Sequence, residues 1–388
     1  MHFPDGFLWG TATAAHQVEG GNWNNDWWAW EHAPDTPCRE PSGDACDHYH
    51  RYPDDIALVA GLGFNAYRFS LEWSRIEPEE GEFSRAALGH YRRMCVSCRE
   101  HGLAPVVTLH HFTTPRWVVA AGGWTDARTV ERFARYVERT MHALGDVVAR
   151  VCTINEPNIV ATFGHLWGLF PPGRRDPAAR ARANEVFAAA HRAAVSVVRR
   201  VHPGVPVGLT LAMQDLQAAP GGEAVRDREH RDMEAPFFAA VAGDDFFGVQ
   251  TYTRLRYGAH GMVGPEPGAR TTLMGYEFWP AALDATIRRA WAETGGVPIL
   301  VTENGIATAD DRERIEYVAD ALGGVAACLA DGIDVRGYVY WSLFDNFEWV
   351  FGYAPTFGLV AVDRMTQART PHPSAVWLGA IARANAIA

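Results

Sequence analysis

Phe7-Leu8-Trp9-Gly10-Thr11-Ala12-Thr13-Ala14-Ala15-His16-Gln17 decides between two folds. Its apolar first half suits a buried strand of a parallel sheet. A doubly wound sheet would follow such an early strand with a glycine-rich phosphate turn. Here the run passes into Thr13-Ala14-Ala15-His16-Gln17, which is not one.

Outward from this stretch the same alternation recurs. Short apolar runs at 7–12, 66–70, 104–109, 151–154, 207–211, 246–250, 299–302 and 337–341 read as strands. Segments of helical period lie between them, around 51–61, 85–101, 127–144, 182–201, 231–242, 280–294, 312–331 and 373–386. Eight strand–helix pairs predict an α/β protein built as a single (β/α)8 TIM barrel over residues 1–388, with its active site at the C-terminal ends of the strands. Pro53 predicts a helix beginning near Asp54; Gly61 and Gly63 mark its end, and Gly102 ends the next one.

Composition narrows the function. A formal net charge of -11 argues against nucleic acid and anionic membranes as partners. No apolar run approaches the ~20 residues of a membrane helix, and Met1-His2-Phe3-Pro4-Asp5 opens no secretory signal. The six cysteines read as reduced thiols of a cytoplasmic protein. Cys95 and Cys98 form a lone CxxC inside a helical pattern, without the second pair a metal site wants. The expectation is therefore a small-molecule substrate, no cofactor and no metal, with the oligomeric state open. Fourteen tryptophans, with 19 Phe and 12 Tyr, fit either a large core or a sugar site; composition does not choose.

The strand ends carry the chemistry. Read in order they offer Gln17 and Glu19, Arg68, His110-His111-Phe112, Asn155-Glu156, Tyr252, Glu303-Asn304, and Trp341 with Asp345, Asn346, Glu348 and Trp349. Glu156 follows Val151-Cys152-Thr153-Ile154-Asn155 and Glu303 follows Ile299-Leu300-Val301-Thr302, on opposite sides of the barrel mouth. Two carboxylates flanking one bond is what glycoside hydrolysis needs: one protonates the leaving oxygen, and the other attacks the anomeric carbon if they stand about 5–5.5 Å apart. His110 alternates with His111 and reads as structural, as do Glu19, Asp345 and Asn346.

These motifs resemble glycoside hydrolase family 1, the β-glucosidase family of retaining barrel enzymes. Phe7-Leu8-Trp9-Gly10 through Gln17-Val18-Glu19-Gly20 is similar to its N-terminal signature. Tyr67-Arg68-Phe69-Ser70, Thr153-Ile154-Asn155-Glu156-Pro157 and Thr302-Glu303-Asn304-Gly305 resemble three further motifs. Trp341 to Trp349, followed by Phe357-Gly358-Leu359, resembles the last. The resemblance implies a β-glucosidase acting on terminal non-reducing β-D-glucosyl residues by double displacement. It implies Glu156 as acid/base and Glu303 as nucleophile, with Arg68 and Tyr252 supporting the nucleophile. It implies Gln17, His111, Phe112, Asn155, Tyr252, Trp341, Glu348, Trp349 and Phe357 around the sugar, and Trp341 as its stacking ring.

The sequence departs from the family's pattern at three places. Phe112 stands where a tryptophan is usual, which removes one N–H donor. Asn158 stands where a large aromatic is common. Gln250-Thr251-Tyr252 replaces a usual Asn-Tyr-Tyr. The segment between the fifth and sixth strands is compact, and Trp167 and Phe170 are the aromatics expected toward the leaving group. A 6-phospho-β-glycosidase is disfavoured by Glu348, which would repel phosphate. A thioglucosidase is disfavoured by Glu156, and a non-catalytic sugar-binding protein by the presence of both carboxylates. A transglycosidase would share every catalytic residue.

Overall fold

The computed structural model describes residues 1–387. Eight parallel strands close into a barrel: β1 Leu8–Thr13, β2 Ala66–Ser70, β3 Ala104–His111, β4 Arg150–Asn155, β5 Val207–Ala212, β6 Phe247–Thr251, β7 Ile299–Asn304 and β8 Val335–Trp341. Each pairs with its sequence neighbours, and β1 closes on β8 with Leu8 opposite Gly337 and Ala12 opposite Trp341. Helices follow the strands on the outside, as in an α/β barrel. The eight strands lie where the apolar runs place them, with ends lengthened or shifted by one or two residues, as at Leu8–Thr13 and Phe247–Thr251, which each begin and end one residue later. Nearly every strand residue is buried, because a parallel sheet wrapped by helices is covered on both faces.

Three local features differ from expectation. The first long helix spans His48–Leu62, so Pro53 lies inside it rather than ahead of it. Asp47, in left-handed conformation at the helix cap, starts the helix five residues before the proline. The segment expected as one helix at 231–242 is two, Glu223–Met233 and Ala235–Phe238. Pro236 has no N–H to continue the first helix and sits at the start of the second. A small sheet of strands Asp215–Ala218, Arg254–Gly258 and Gly261–Val263 stands over the C-terminal ends of β5 and β6. No apolar run announced it.

The barrel interior is layered. Leu8, Ala66, Val106, Cys152 and Leu300, from the N-terminal portions of five strands, form an apolar plug with Phe246, the residue just before β6. Above it the lining turns polar, beginning with Arg68, two residues beyond Ala66 on the same face of β2. The registers of two strands slip at this level. Pairing of β7 with β6 shifts between Val301 and Glu303, and pairing of β4 with β5 shifts between Cys152 and Asn155. Such bulges re-aim side chains beside active sites.

All six cysteines are free and buried. Burial pushes the thiols of Cys46, Cys95 and Cys328 up to about 12.

Candidate active site

One cavity of about 160 Å³ opens at the C-terminal mouth of the barrel. Glu156 and Glu303 both line it, with His111, Trp341, Glu348 and Trp349 around them. Phe112, Tyr252 and Phe357 complete the walls on which the sequence placed site residues.

Glu303 is held from two sides. Arg68 donates through Nη1 to Glu303 Oε1 at 2.6 Å, and Tyr252 donates its hydroxyl to Oε2 at 2.5 Å. Arg68 is fully buried, so its position is fixed by the same contacts that satisfy it: Nε to Thr108 Oγ1 at 3.1 Å and Nη2 to Asn155 Oδ1 at 2.6 Å. A buried guanidinium without this compensation would be strongly destabilising. Asn304, one residue on, faces away from the cavity and ties β6 and β8 to β7: its amide donates to Thr251 O, and Tyr338 donates to its Oδ1.

Glu156 is placed differently. It follows the end of β4 in the left-handed region, φ 44°, and caps the helix Pro157–His165. Its backbone N–H is pinned to Thr210 O at 2.9 Å, while its carboxyl has no hydrogen-bond partner among the described residues. Phe112 (φ 67°) and Trp349 (φ 53°) share this unusual backbone, so three non-glycine residues of one cavity wall are strained.

The two carboxyls have unlike surroundings. Burial pushes Glu156 well above the usual carboxyl range, and the charges of Glu303 and Glu348 push it further, with only Arg68 opposing. Burial also raises Glu303, but the Arg68 charge and the Tyr252 and Arg68 hydrogen bonds pull it back. Of the pair, Glu303 gives up its proton first. Glu348 is raised to about 8, mainly by burial and then by the charge of Glu303, against hydrogen bonds from Gln17 and Trp341.

A polar chain positions the remaining groups. Asn155 Oδ1 accepts from Arg68 and from Gln250 at 2.9 Å, so its amide nitrogen is the donor toward His111 Nε2 at 3.2 Å. His111 then carries its proton on Nδ1, and that buried N–H has no protein partner among the described residues. Burial and the Arg68 charge keep this ring neutral. Gln17 stands behind Glu348 rather than on the cavity wall. It donates to Phe347 O at 2.7 Å and to Glu348 Oε2 at 3.3 Å, while its Oε1 is left unpaired. Trp341 and Trp349 both stack on His111, at 5.7 and 6.2 Å between ring centres.

The profile of the family described as "Glycosyl hydrolase family 1" matches residues 1–253 and 249–387. The chain belongs to glycosyl hydrolase family 1. It is a glycoside hydrolase and a retaining β-glycosidase. Among family 1 relatives, a beta-glucosidase of Agrobacterium sp. is 34% identical, over 98% of this chain and 95% of that one. A thermostable beta-glucosidase B of Thermobispora bispora is 34% identical, over 100% of this chain and 92% of that one. Among solved family 1 structures, a beta-glucosidase of Thermotoga maritima superposes with a TM-score of 0.94 at 30% identity, covering 100% of both chains. A beta-glycosidase named BGL167 superposes at 0.93 and 52% identity, covering 100% of this chain and 98% of that one.

Within this family 1 site, Asn155, Arg68 and Gln17 lie behind the cavity lining rather than on it. His110 packs outward against Trp124, Phe133 and Phe187, as its alternation with His111 requires. Asp345 fixes a loop by accepting from Gly358 N at 2.8 Å, and Glu19 accepts from Arg75 and Tyr91. Trp167 is 41% exposed and packs tilted against Phe163 outside the catalytic cavity, whereas Phe170 lines it against Phe112. Tyr276 and Gln214 also line the cavity and had no signal in the sequence. Both come from irregular segments where neither period nor motif marks a side chain's direction.

Proposed function

We propose that this protein is a β-glucosidase that cleaves terminal, non-reducing β-D-glucosyl residues by double displacement, with Glu303 as nucleophile and Glu156 as acid/base. One observation carries the reading: two buried carboxyls line one cavity in surroundings that separate their proton affinities. The names of the relatives, beta-glucosidases over nearly their whole length, support the substrate.

In the first step ionised Glu303 attacks the anomeric carbon. The bond to the leaving oxygen breaks, and the proton of Glu156 passes to that oxygen. The negative charge of Glu303 is consumed in the new ester, so Glu156 ionises more readily. It then takes a proton from water, whose oxygen displaces Glu303 and restores the β-configuration. Arg68 and Tyr252 orient the attacking carboxylate and keep it ionised. Trp341 offers an apolar face to the pyranose. The unpaired His111 Nδ1–H and the Glu348 carboxyl, both on the cavity wall, fit sugar hydroxyls, which both donate and accept, and Gln17 holds Glu348 from behind. Asn155 acts through Arg68 and His111. Trp349, Phe112 and Phe357 shape the walls.

In this reading residues 1–388 work as one catalytic domain on a small-molecule β-glycoside. Six buried, unpaired thiols favour a reducing, cytoplasmic setting. The test is hydrolysis of an aryl β-D-glucoside followed by proton NMR. β-Glucose as the first-formed product is expected; α-glucose as the first product would refute the double displacement.

A further inference from the structure

A separate cavity of about 240 Å³ opens where the loop after β1 meets the segment after β2. It shares no wall residue with the catalytic cavity and is half again as large. Residues 21–24 form one side, and Ser74, Arg75 and Pro78 stand on the other. The backbone of the first side is pinned at both ends: Gly21 donates to Gly43 O at 3.0 Å, and Arg116 donates to Asn24 O at 3.2 Å. Trp23 stands between these anchors. It is 62% exposed, more than any other of the fourteen tryptophans. An exposed ring by itself needs no explanation. This one borders a cavity whose polar groups are fixed in place and still have capacity to bind. Asn24 donates its amide to Pro78 O at 2.9 Å, which leaves its Oδ1 as a free acceptor. Arg75 spends Nε on Glu19 and Asn22 and Nη2 on Gly20 O, so Nη1 is a donor without a partner among the described residues. Arg75 and His90 cover the ring of Tyr49, another wall residue, at 4.3 and 3.8 Å from its centre. Tyr49 therefore offers its edge and its hydroxyl.

We infer that this cavity is a second saccharide site, with Trp23 under the C–H face of a neutral pyranose and Arg75, Tyr49 and Asn24 on its hydroxyls. Three observations choose that ligand class. Arg75 carries the one charge on the wall, and buried Glu19, 3.0 Å away, offsets it, so an anion gains little there. Donors and an acceptor stand beside one flat apolar ring, which suits a molecule whose edge both donates and accepts while its face is C–H. The space exceeds that of the catalytic cavity, so one sugar ring fits and a second can follow. No carboxyl of the described residues lines the cavity, so a bound saccharide is held there and not cleaved. The site stands or falls independently of which glycoside the catalytic cavity turns over.

The experiment is calorimetric titration with thiocellobiose, whose sulfur bridge resists hydrolysis, into protein whose catalytic cavity is filled with deoxynojirimycin. The wild-type protein should still bind one thiocellobiose per chain. Trp23→Ala should weaken that binding by about tenfold or more. Trp23→Phe, which keeps a ring, should stay within about threefold of wild type. Turnover of an aryl β-D-glucoside by Trp23→Ala should stay within about twofold, which shows that the fold and the catalytic cavity are intact. Absence of binding to the filled wild-type protein, equal binding by Trp23→Ala, or displacement of thiocellobiose by inorganic sulfate at matched ionic strength would overturn the proposal. If deoxynojirimycin does not occupy the catalytic cavity, the β-glucosidase reading suffers, while the difference between wild type and Trp23→Ala still decides the second site.

Discussion

Leu300 and Glu303 lie three residues apart on β7, yet the first belongs to the apolar plug of the barrel and the second to the cavity above it. A regular strand sends side chains three apart to opposite faces. The register shift between Val301 and Glu303 reconciles the two, and it turns Asn304 outward to brace the neighbouring strands. The carboxyl is thus aimed by backbone geometry before any side-chain contact acts on it.

Glu303→Ala should lower kcat on aryl β-glucosides by about four orders of magnitude or more, because no other group can form the ester. Added azide should partly restore turnover in this variant and give the α-glycosyl azide, since the anion replaces the missing carboxylate on the same face. In Glu156→Ala the azide product should be β, formed from the glycosyl-enzyme. NMR of the two products checks both roles, and the same anomer from both variants would contradict the assignment.

Tyr252→Phe removes the donor to Glu303 Oε2. A hydrogen bond to a charged acceptor contributes about 1.5–3 kcal/mol, so kcat/KM should fall by about ten- to a hundredfold. The hydroxyl stabilises the ionised form, so its loss should move the acidic limb of the kcat/KM profile to higher pH. An unmoved limb with a lower rate would mean that Tyr252 serves only packing.

Arg68→Lys keeps the charge but cannot reach Glu303, Thr108 and Asn155 together. Both activity and stability should fall, the stability by about 3–5 kcal/mol if the carboxylate is left uncompensated. Urea unfolding of the variant measures this directly.

The pH dependence of kcat/KM should be bell-shaped, with ionisation of Glu303 on the acid side and loss of the Glu156 proton on the alkaline side. Glu156→Gln should lose the alkaline limb, measured with a substrate whose leaving group needs no protonation.

Stability should show a separate signature of Glu348. Its carboxyl is raised from 4.5 to about 8 on folding, so the folded state holds a proton that the unfolded chain has released between those values. That contribution is intact below about pH 4.5 and is lost as pH rises toward 8. Glu348→Gln, which stays neutral, should match wild type in Tm near pH 5 and exceed it by about a few °C at pH 8–9. Equal melting curves at both pH values would remove the proposed burial penalty.

The barrel was legible because buried parallel strands are continuous apolar runs, and their C-terminal ends are where chemistry collects. Glu156, Glu303, His111 and Trp341 could be read from those positions alone. What escaped depends on single-residue phase or on long-range packing. The slip at Glu303 leaves no mark in an apolar run. Tyr276 reaches the cavity from a polar loop. The small sheet is half-exposed and short, so Leu216 and Leu255 carried no strand pattern. Gln17 and Asn155 were legible as site residues, but not as residues behind the lining, because only the pairing of their amides decides which neighbour each one serves.

The shielded thiols have a practical consequence. With all six thiols buried, and burial pushing those of Cys46, Cys95 and Cys328 up to about 12, maleimide chemistry at neutral pH meets no native target. Met365 stands 93% exposed in the loop after Val360–Val362. Met365→Cys would give one addressable handle, for tethering the protein to a bead or a fluorophore without reducing agents or cysteine-free redesign.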